Sequence, residues 1–434
     1  MSRPWTLCLA ALIGAAACGR SKPLSPGGSS GSNQGAPTSG GVATDAGAIV
    51  DASGTVSTPD ASATADAPID ALTTPDAPDG SDGGRERYRA VAVAAGELHV
   101  CAILDDHRVK CWGYNAEGQL GLGDTKDRGG DPSTMGDNLP TVDLGTGRTA
   151  IAIAASRNST CALLDNGSVK CWGEPDLTGG SFFVASGSAP GQMGDNLPAL
   201  DFGGRRAVTI AMGSEIACAS MDDDTIWCWP GDPGPNAAKT PQPTGLPAKR
   251  VRALGPSGAS VAAVYDDGTL SADLPDGSMP LLPTSGRKVV AVTGAVPFTC
   301  VLFDDRTTAC TDSTNGLTNA IAIGADSSLV IFCAVLTDGD IQCQGFEGSE
   351  KEYCASPFHC SSDGDLSSFT LGVPAVAVTS NGSQFMCALL ADGNIKCWGA
   401  NPTAPWLGAS IDFTTEADGG IVYSAWHTVD LGTR

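Results

Sequence analysis

Cys101 and Cys111 stand ten residues apart in CAILDDHRVKCWG, on either side of a turn-like Asp-Asp-His-Arg. The arrangement returns as CALLDNGSVKCWG at Cys161–Gly173 and as CALLADGNIKCWG at Cys387–Gly399. Three further pairs, Cys218/Cys228, Cys300/Cys310 and Cys333/Cys343, keep the same spacing of ten. Paired thiols can bond to each other, hold zinc, or exchange redox equivalents. Zinc sites favour short C-x-x-C-type knuckles joined by histidines, and redox motifs use C-x-x-C. Neither spacing occurs here, and the whole chain has four histidines. In a hairpin centred on its turn, residues five on either side of the centre lie opposite each other on one face. Their Cα atoms are then about 4.5–5.5 Å apart, within reach of a disulfide. The expectation is one local disulfide per hairpin, in a chain exported to an oxidising compartment.

The turn chemistry agrees with hairpins. Asp165-Asn166-Gly167 and Asp392-Gly393-Asn394 separate strand-like runs rich in Val, Ile, Ala and Leu. One further unit, VAAVYDDGTLSAD, places Ala262 and Ala272 where the cysteines would stand. Both thiols are missing together, as a bonded pair requires. Cys354 and Cys360, in KEYCASPFHC, are expected to close a small loop on themselves.

Each hairpin is preceded by an alternating strand, and the unit recurs seven times. Its copies open at AVAVAAGELHVC (from Ala90), AIAIAASRNSTC (Ala150), AVTIAMGSEIAC (Ala207) and RVRALGPSGASVAA (Arg250). Three more open at VVAVTGAVPFTC (Val289), AIAIGADSSLVIFC (Ala320) and AVAVTSNGSQFMC (Ala375). Units of about fifty residues with three or four short strands each predict an all-β fold, a seven-bladed β-propeller. The C-terminal HTVDLGTR repeats the PTVDLGTGR that precedes the second unit. The expectation is that this terminal strand pairs with the sheet begun by Ala90–Ala95 and closes the ring, which removes an open edge. Long insertions follow the first, second and sixth hairpins (Tyr114–Leu144, Glu174–Phe202, Phe346–Val373), where binding loops usually sit. The short Thr311–Asn319 connection predicts a short or missing outer strand in the fifth unit.

The N-terminus adds two segments. Residues 1–17, with Arg3 and an apolar run from Trp5, read as a lipoprotein signal peptide. Ala16-Ala17-Cys18 ends it like a lipobox, with Ala15 where leucine is usual, so Cys18 is the expected lipidation site. Ordinary cleavage near the same alanines, with Cys18 incidental, is the alternative. Gly19 rather than Asp follows, which by resemblance to sorting rules favours the outer membrane of a Gram-negative bacterium. Residues 18–84 are mostly Gly, Ala, Ser, Thr, Pro and Asp, with few large apolar residues, and read as a disordered tether. The body is 85–434. The chain carries a net charge of −23; eight of its 48 acidic and three of its 25 basic residues precede Arg85, leaving the body 40 acids against 22 bases. Such a surface repels phosphate backbones, so no nucleic-acid partner is expected, and membrane contact is through the anchor alone.

The unit CALLDNGSVKCWG, with YNAEGQLGLG (Tyr114–Gly123) after the first copy, resembles the regulator-of-chromosome-condensation repeat. The resemblance covers the body and is sharpest in the first copy. It fades where Trp-Gly becomes Trp229-Pro230, Asp273-Leu274, Thr311-Asp312 or Gln344-Gly345. It implies a seven-bladed propeller; the cysteine pairs resemble those of secreted bacterial versions. Members have diverse functions, and no contact residue transfers onto this chain.

The remaining candidates have structural readings. Trp112, Trp172, Trp229 and Trp398 could stack sugars, but recurrence at one position points to packing between blades. Asp105, Asp165, Asp223, Asp266, Asp304 and Asp392 could collect calcium, yet aspartate is also a common turn former. The duplicated MGDNLP (Met135–Pro140, Met193–Pro198) reads as a connector into the next outer strand. His99, His107, His359 and His427 occupy unlike positions, and no hydrolase or phosphate-loop signature stands out, so no catalytic residue, metal or cofactor is assigned. The reading is a monomeric, lipid-anchored extracytoplasmic protein that recognises a protein or glycan through propeller loops. An enzyme with a site in the central channel and a structural envelope component are the alternatives.

Overall fold

The computed structural model describes residues 86–174, 187–213, 215–230, 240–257, 260–273, 286–295, 298–311, 316–325, 331–345, 370–379, 385–399 and 427–433, with short strands at 49–50, 56–57, 413–415 and 421–423. Cys18, Cys354, Cys360, His359 and the third long insertion lie outside the described residues, except for residues 370–373. The described part is all-β, its only helices being three 3-10 turns at Pro132–Thr134, Gly136–Asn138 and Gly194–Asn196.

Seven antiparallel sheets of three or four strands follow one another along the chain. The first contains Ala90–Ala95, His99–Leu104 and Val109–Gly113, and the second Ala150–Ser156, Ser159–Leu164 and Val169–Gly173. The others begin at Ala207, Val251, Val289, Ala320 and Ala375. The fifth has a three-residue last strand, Thr308–Cys310, beyond which Thr308 N bonds Leu317 O and Leu317 N bonds Thr308 Oγ1, as its short connection foretells.

Strands whose every residue is buried, such as His99–Leu104 and Ser159–Leu164, need apolar cover on both faces. Seven apolar clusters supply it. Six lie between consecutive sheets. In the remaining one the seventh sheet (Phe385, Leu389, Ile395) packs on the first (Val93, Leu104, Trp112). Successive residues of a strand point to opposite faces. Cys111 and Trp112 therefore serve different interfaces, with the disulfide facing the next sheet and the tryptophan the preceding one. The Cys101–Cys111 bridge thus lies in the same cluster as Trp172, and Cys161–Cys171 in that of Trp229.

The hairpin register is the expected one. Cys101↔Cys111, Cys161↔Cys171, Cys218↔Cys228, Cys300↔Cys310, Cys333↔Cys343 and Cys387↔Cys397 are directly opposed, and all six pairs are bonded. Ala262 faces Ala272 at the same register in the fourth sheet. The Cα separations, 3.9–4.1 Å, are shorter than expected. The reason is the parity of the ladder. Leu104 N bonds Arg108 O at one end and Tyr114 N bonds Leu98 O at the other, which places 101/111 at a non-hydrogen-bonded pair, the narrower kind. Each bridge closes a ten-residue loop and should contribute about 2–3 kcal/mol by loop entropy. Peptide mapping without reduction should find each of the six cysteine-bearing hairpins linked to itself; a bond between two different hairpins would contradict this register.

Each hairpin turn holds one residue in the left-handed region, six positions after the first cysteine, or after Ala262 in the fourth sheet. Glycine does this at 167, 268, 339 and 393 (φ 78–84°), and His107, Asp224 and Arg306 do it at 63–65°. That conformation turns a carbonyl towards the next sheet. Ala150 N bonds His107 O, Ala207 N bonds Gly167 O, and Ala90 N bonds Gly393 O. The last bond runs from the first sheet to the seventh.

The C-terminal segment departs from expectation. His427–Thr428 pairs with Ile395–Gly399 as the fourth strand of the seventh sheet, not with Ala90–Ala95. Val429 N continues this pairing to Ile395 O, just as Val142 N does to Val109 O in the first sheet. Every sheet is therefore built from its own unit. The contact with the first sheet comes one step later, through Tyr88 N to Gly432 O and a bridge between Arg87 and Thr433. Within the segment read as a tether, Ile49–Val50 and Val56–Ser57 pair antiparallel.

Candidate functional site

The described insertions sit where the first two sheets meet. In the first, Asn115 is buried with all its polar atoms engaged. Its side-chain amide donates to the carbonyls of Asp124 (2.8 Å) and Lys126 (3.1 Å), and its Oδ1 accepts from Leu120 N (3.0 Å). Asp127 takes the Asn115 backbone N–H at 2.8 Å. The loop is thus folded around one asparagine. It is then pinned to the second sheet at the Gln119 carbonyl, which accepts from Trp172 Nε1 and Thr160 Oγ1, both at 2.9 Å. Thr160 in turn bonds His99 Nε2 at 2.8 Å. His99 is fully enclosed, and a Cβ on Gly96 would come within 2.1 Å of its ring. Burial, partly offset by the Arg157 carbonyl, lowers its pKa to about 3. It is a neutral core group at the sheet interface.

The second insertion seats against the first. Gly123 N donates to Gly187 O at 2.9 Å. Gly118, at φ +81°, approaches so closely that a Cβ would stand 2.4 Å from Ser188 N. Gln192 Oε1 gathers the N–H groups of Ser188 and Ala189, both at 2.9 Å. Ala116, Thr125, Lys126, Asp127, Pro190 and Gly191 remain exposed on this composite loop surface.

The duplicated MGDNLP has a more definite role than connector. Asp195 accepts from Thr146 N (2.8 Å) and Thr146 Oγ1 (2.6 Å), in the TVDLGTGR link between sheets one and two. Asp137 accepts from Thr433 N (2.6 Å) and Thr433 Oγ1 in the C-terminal TVDLGTR. The lysine before each second cysteine completes the clamp. Lys170 Nζ donates to Leu144 O and Gly194 O, and Lys110 Nζ to Leu431 O and Gly136 O. Burial lowers both lysine pKa values, and the Thr146 hydrogen bonds hold Asp195 below the usual carboxylate range. The seam between the last and first sheets is therefore built like the seam between the first and second. The sequence signal for it was the pairing of two duplications, MGDNLP and TVDLGT, which spacing alone did not connect.

The other candidates resolve as follows. Trp112, Trp172, Trp229 and Trp398 are buried between sheets, so they offer no stacking platform. Asp223 and Asp392 cap their own turns by accepting from Thr225 N and Asn394 N. Asp165 and Asp304 accept from Thr149 N and Lys288 N on the approach to the next strand, and Asp266 pairs with Arg250. Asp105 donates its own N–H to Arg89 O. These carboxylates stand one per sheet, and among the described residues no His/Cys/Asp/Glu group is placed to share a metal. His107 is a turn residue, and His427 opens the last strand.

The Regulator of chromosome condensation (RCC1) repeat matches at residues 90–119, 150–176 and 375–402. The chain carries RCC1 repeats. The matches fall on the first, second and seventh units, where Trp-Gly follows the second cysteine. Among solved structures, the CRINKLY WD40 ectodomain of the Arabidopsis thaliana receptor kinase ACR4 is 15% identical with a TM-score of 0.45, over 72% of this chain and 92% of that one. Prp20p from Saccharomyces cerevisiae is 16% identical with a TM-score of 0.41, over 72% of each chain. The ectodomain of the Physcomitrella patens receptor kinase CR4 is 14% identical with a TM-score of 0.44, over 76% of this chain and 77% of that one.

Proposed function

We propose that these RCC1 repeats form a closed seven-bladed propeller that acts as an extracytoplasmic protein-binding module, anchored through lipid on Cys18. The observation that carries the reading is the composite surface of the first two insertions. Asn115, Gln119 and Gln192 spend their hydrogen bonds on holding two loops in one shape, while Lys126 and Pro190 stay at the surface. Preorganised loops on a rigid scaffold lower the ordering cost of association. A protein partner is favoured over a glycan because the four repeat tryptophans are buried. Six disulfides fit an oxidising compartment.

Capture from envelope extract with the full chain, against a Lys126→Glu, Pro190→Asp variant, tests the binding surface. Loss of the captured partner in a variant with unchanged melting supports the reading. Equal capture would place the interface elsewhere. Cys18→Ser tests the anchor separately: the protein should move from the membrane to the soluble fraction, and a variant that fractionates like the parent would remove lipidation from the account.

A further inference from the structure

Among the described residues, five large apolar side chains are left exposed, and all five occupy one position of the repeat. Val91, Ile151, Val208, Ile321 and Val376 are 37–53% exposed, each between buried neighbours. Scattered surface valines need no explanation, but repetition at one structural position does. The position is the second residue of each sheet's first strand. There the pairing register slips by one, so that a β-bulge carries the extra residue out of the buried alternation. The fourth sheet bulges at Arg252 in the same way.

First strands are edge strands of their sheets, and each lies beside the first strands of the neighbouring sheets, the seventh beside the first. The bulge residues are therefore gathered around the inner edge of the sheets, on the rim that carries the hairpin turns. The composite loop surface is on the other rim, beside the Gly96–Leu98 turns.

The N-terminal segment supplies a matching element. Ile49–Val50 pairs with Val56–Ser57, and the Ile49–Val50 strand lies against Ala320–Ala325, the first strand of the sixth sheet, which carries Ile321. In an otherwise polar stretch from Gly19 to Gly84, Ile49, Val50 and Val56 are three of the seven large aliphatic residues. The 28 residues from Thr58 to Arg85 could extend to roughly 90 Å, ample to reach across the body. We propose that this hairpin docks on the inner edge at the sixth sheet, beside Ile321, as an intramolecular plug. The inner edge is then a docking site for a short apolar β-type segment, occupied by the chain's own. This inference does not rest on the loop surface proposed above.

A photoreactive benzoylphenylalanine in place of Val50 in the full chain tests it. Irradiation should give a cross-link at monomer mass that maps to the peptide containing Ile321. Ile321→Asp with Val376→Asp should abolish that cross-link while leaving the melting transition in place. The same pair should raise thermolysin cleavage at Ile49 by about tenfold, because cleavage follows the population of the undocked state. Ile49→Asp with Val56→Asp changes the hairpin instead of the body and should give the same loss, which separates docking from damage to the sheets. A cross-link at dimer mass, one mapping to other strands, no cross-link, or one that survives both pairs of substitutions would overturn the proposal.

Discussion

Deleting Thr428–Arg434 should destroy the cooperative unfolding of the body and drive it to aggregate. The segment contributes the outer strand of the seventh sheet, whose loss bares the edge at Ile395–Gly399. It buries Val429 and Leu431 against Leu104, Trp112 and Leu139. Two such side chains are worth roughly 3–6 kcal/mol. Deletion also removes the Leu431 carbonyl from a buried Lys110 and the Thr433 donors from Asp137. Each disulfide lies within one hairpin, so none can hold the last sheet to the first. Calorimetry and light scattering would check this. A truncated protein that stays monomeric and melts within a few degrees of the parent would mean that the seam closes without this segment.

Acid should destabilise the protein well before its ordinary carboxylates titrate. Burial lowers the His99 pKa to about 3, whereas the unfolded chain offers a histidine near 6.5. Between those values the unfolded state takes up a proton that the folded state refuses, so stability is full above 6.5 and falls as pH drops towards 3. At pH 5 the loss is about 2 kcal/mol, from 1.36 kcal/mol for each unit below 6.5. The proton would also break the interface in which His99, Thr160, the Gln119 carbonyl and Trp172 are joined. Denaturant midpoints from pH 7 to 4.5 should show the decline, and His99→Gln, which keeps a donor for Thr160 and gains no charge, should flatten it. Equal slopes in parent and variant would place the acid sensitivity elsewhere.

The disulfides and the sheets were legible because both follow from local rules. Alternation, an Asp-Gly turn and a ten-residue spacing settle a hairpin with no knowledge of its neighbours. The packing of the tryptophans between sheets was also legible, since they recur at one position of the unit. Two things were not. The partner of the C-terminal strand was assigned to the first sheet, because a repeated TVDLGT says which place in the unit it fills but not on which side of the seam. The clamp was missed because its halves, Asp137 and Thr433, are 296 residues apart. A carboxylate that accepts two bonds from a distant threonine looks, in sequence, like any surface aspartate. The bulges at Val91 and its equivalents were hidden for a different reason: AVAVAA alternates regularly, and only the register shows where one residue is extra.

Closure of the last sheet on the first is the central claim, and one amide reports on it directly. Ala90 N donates to Gly393 O at 2.8 Å, as Ala207 N does to Gly167 O at 2.8 Å and Ala150 N to His107 O at 3.0 Å. The latter two bonds join sheets that are consecutive in the chain, whereas the first crosses from the first sheet to the seventh. Native-state hydrogen exchange should show Ala90 protected to the same degree as Ala150 and Ala207. Exchange of Ala90 at the rate of an open amide, with Ala150 and Ala207 still protected, would contradict the closed ring.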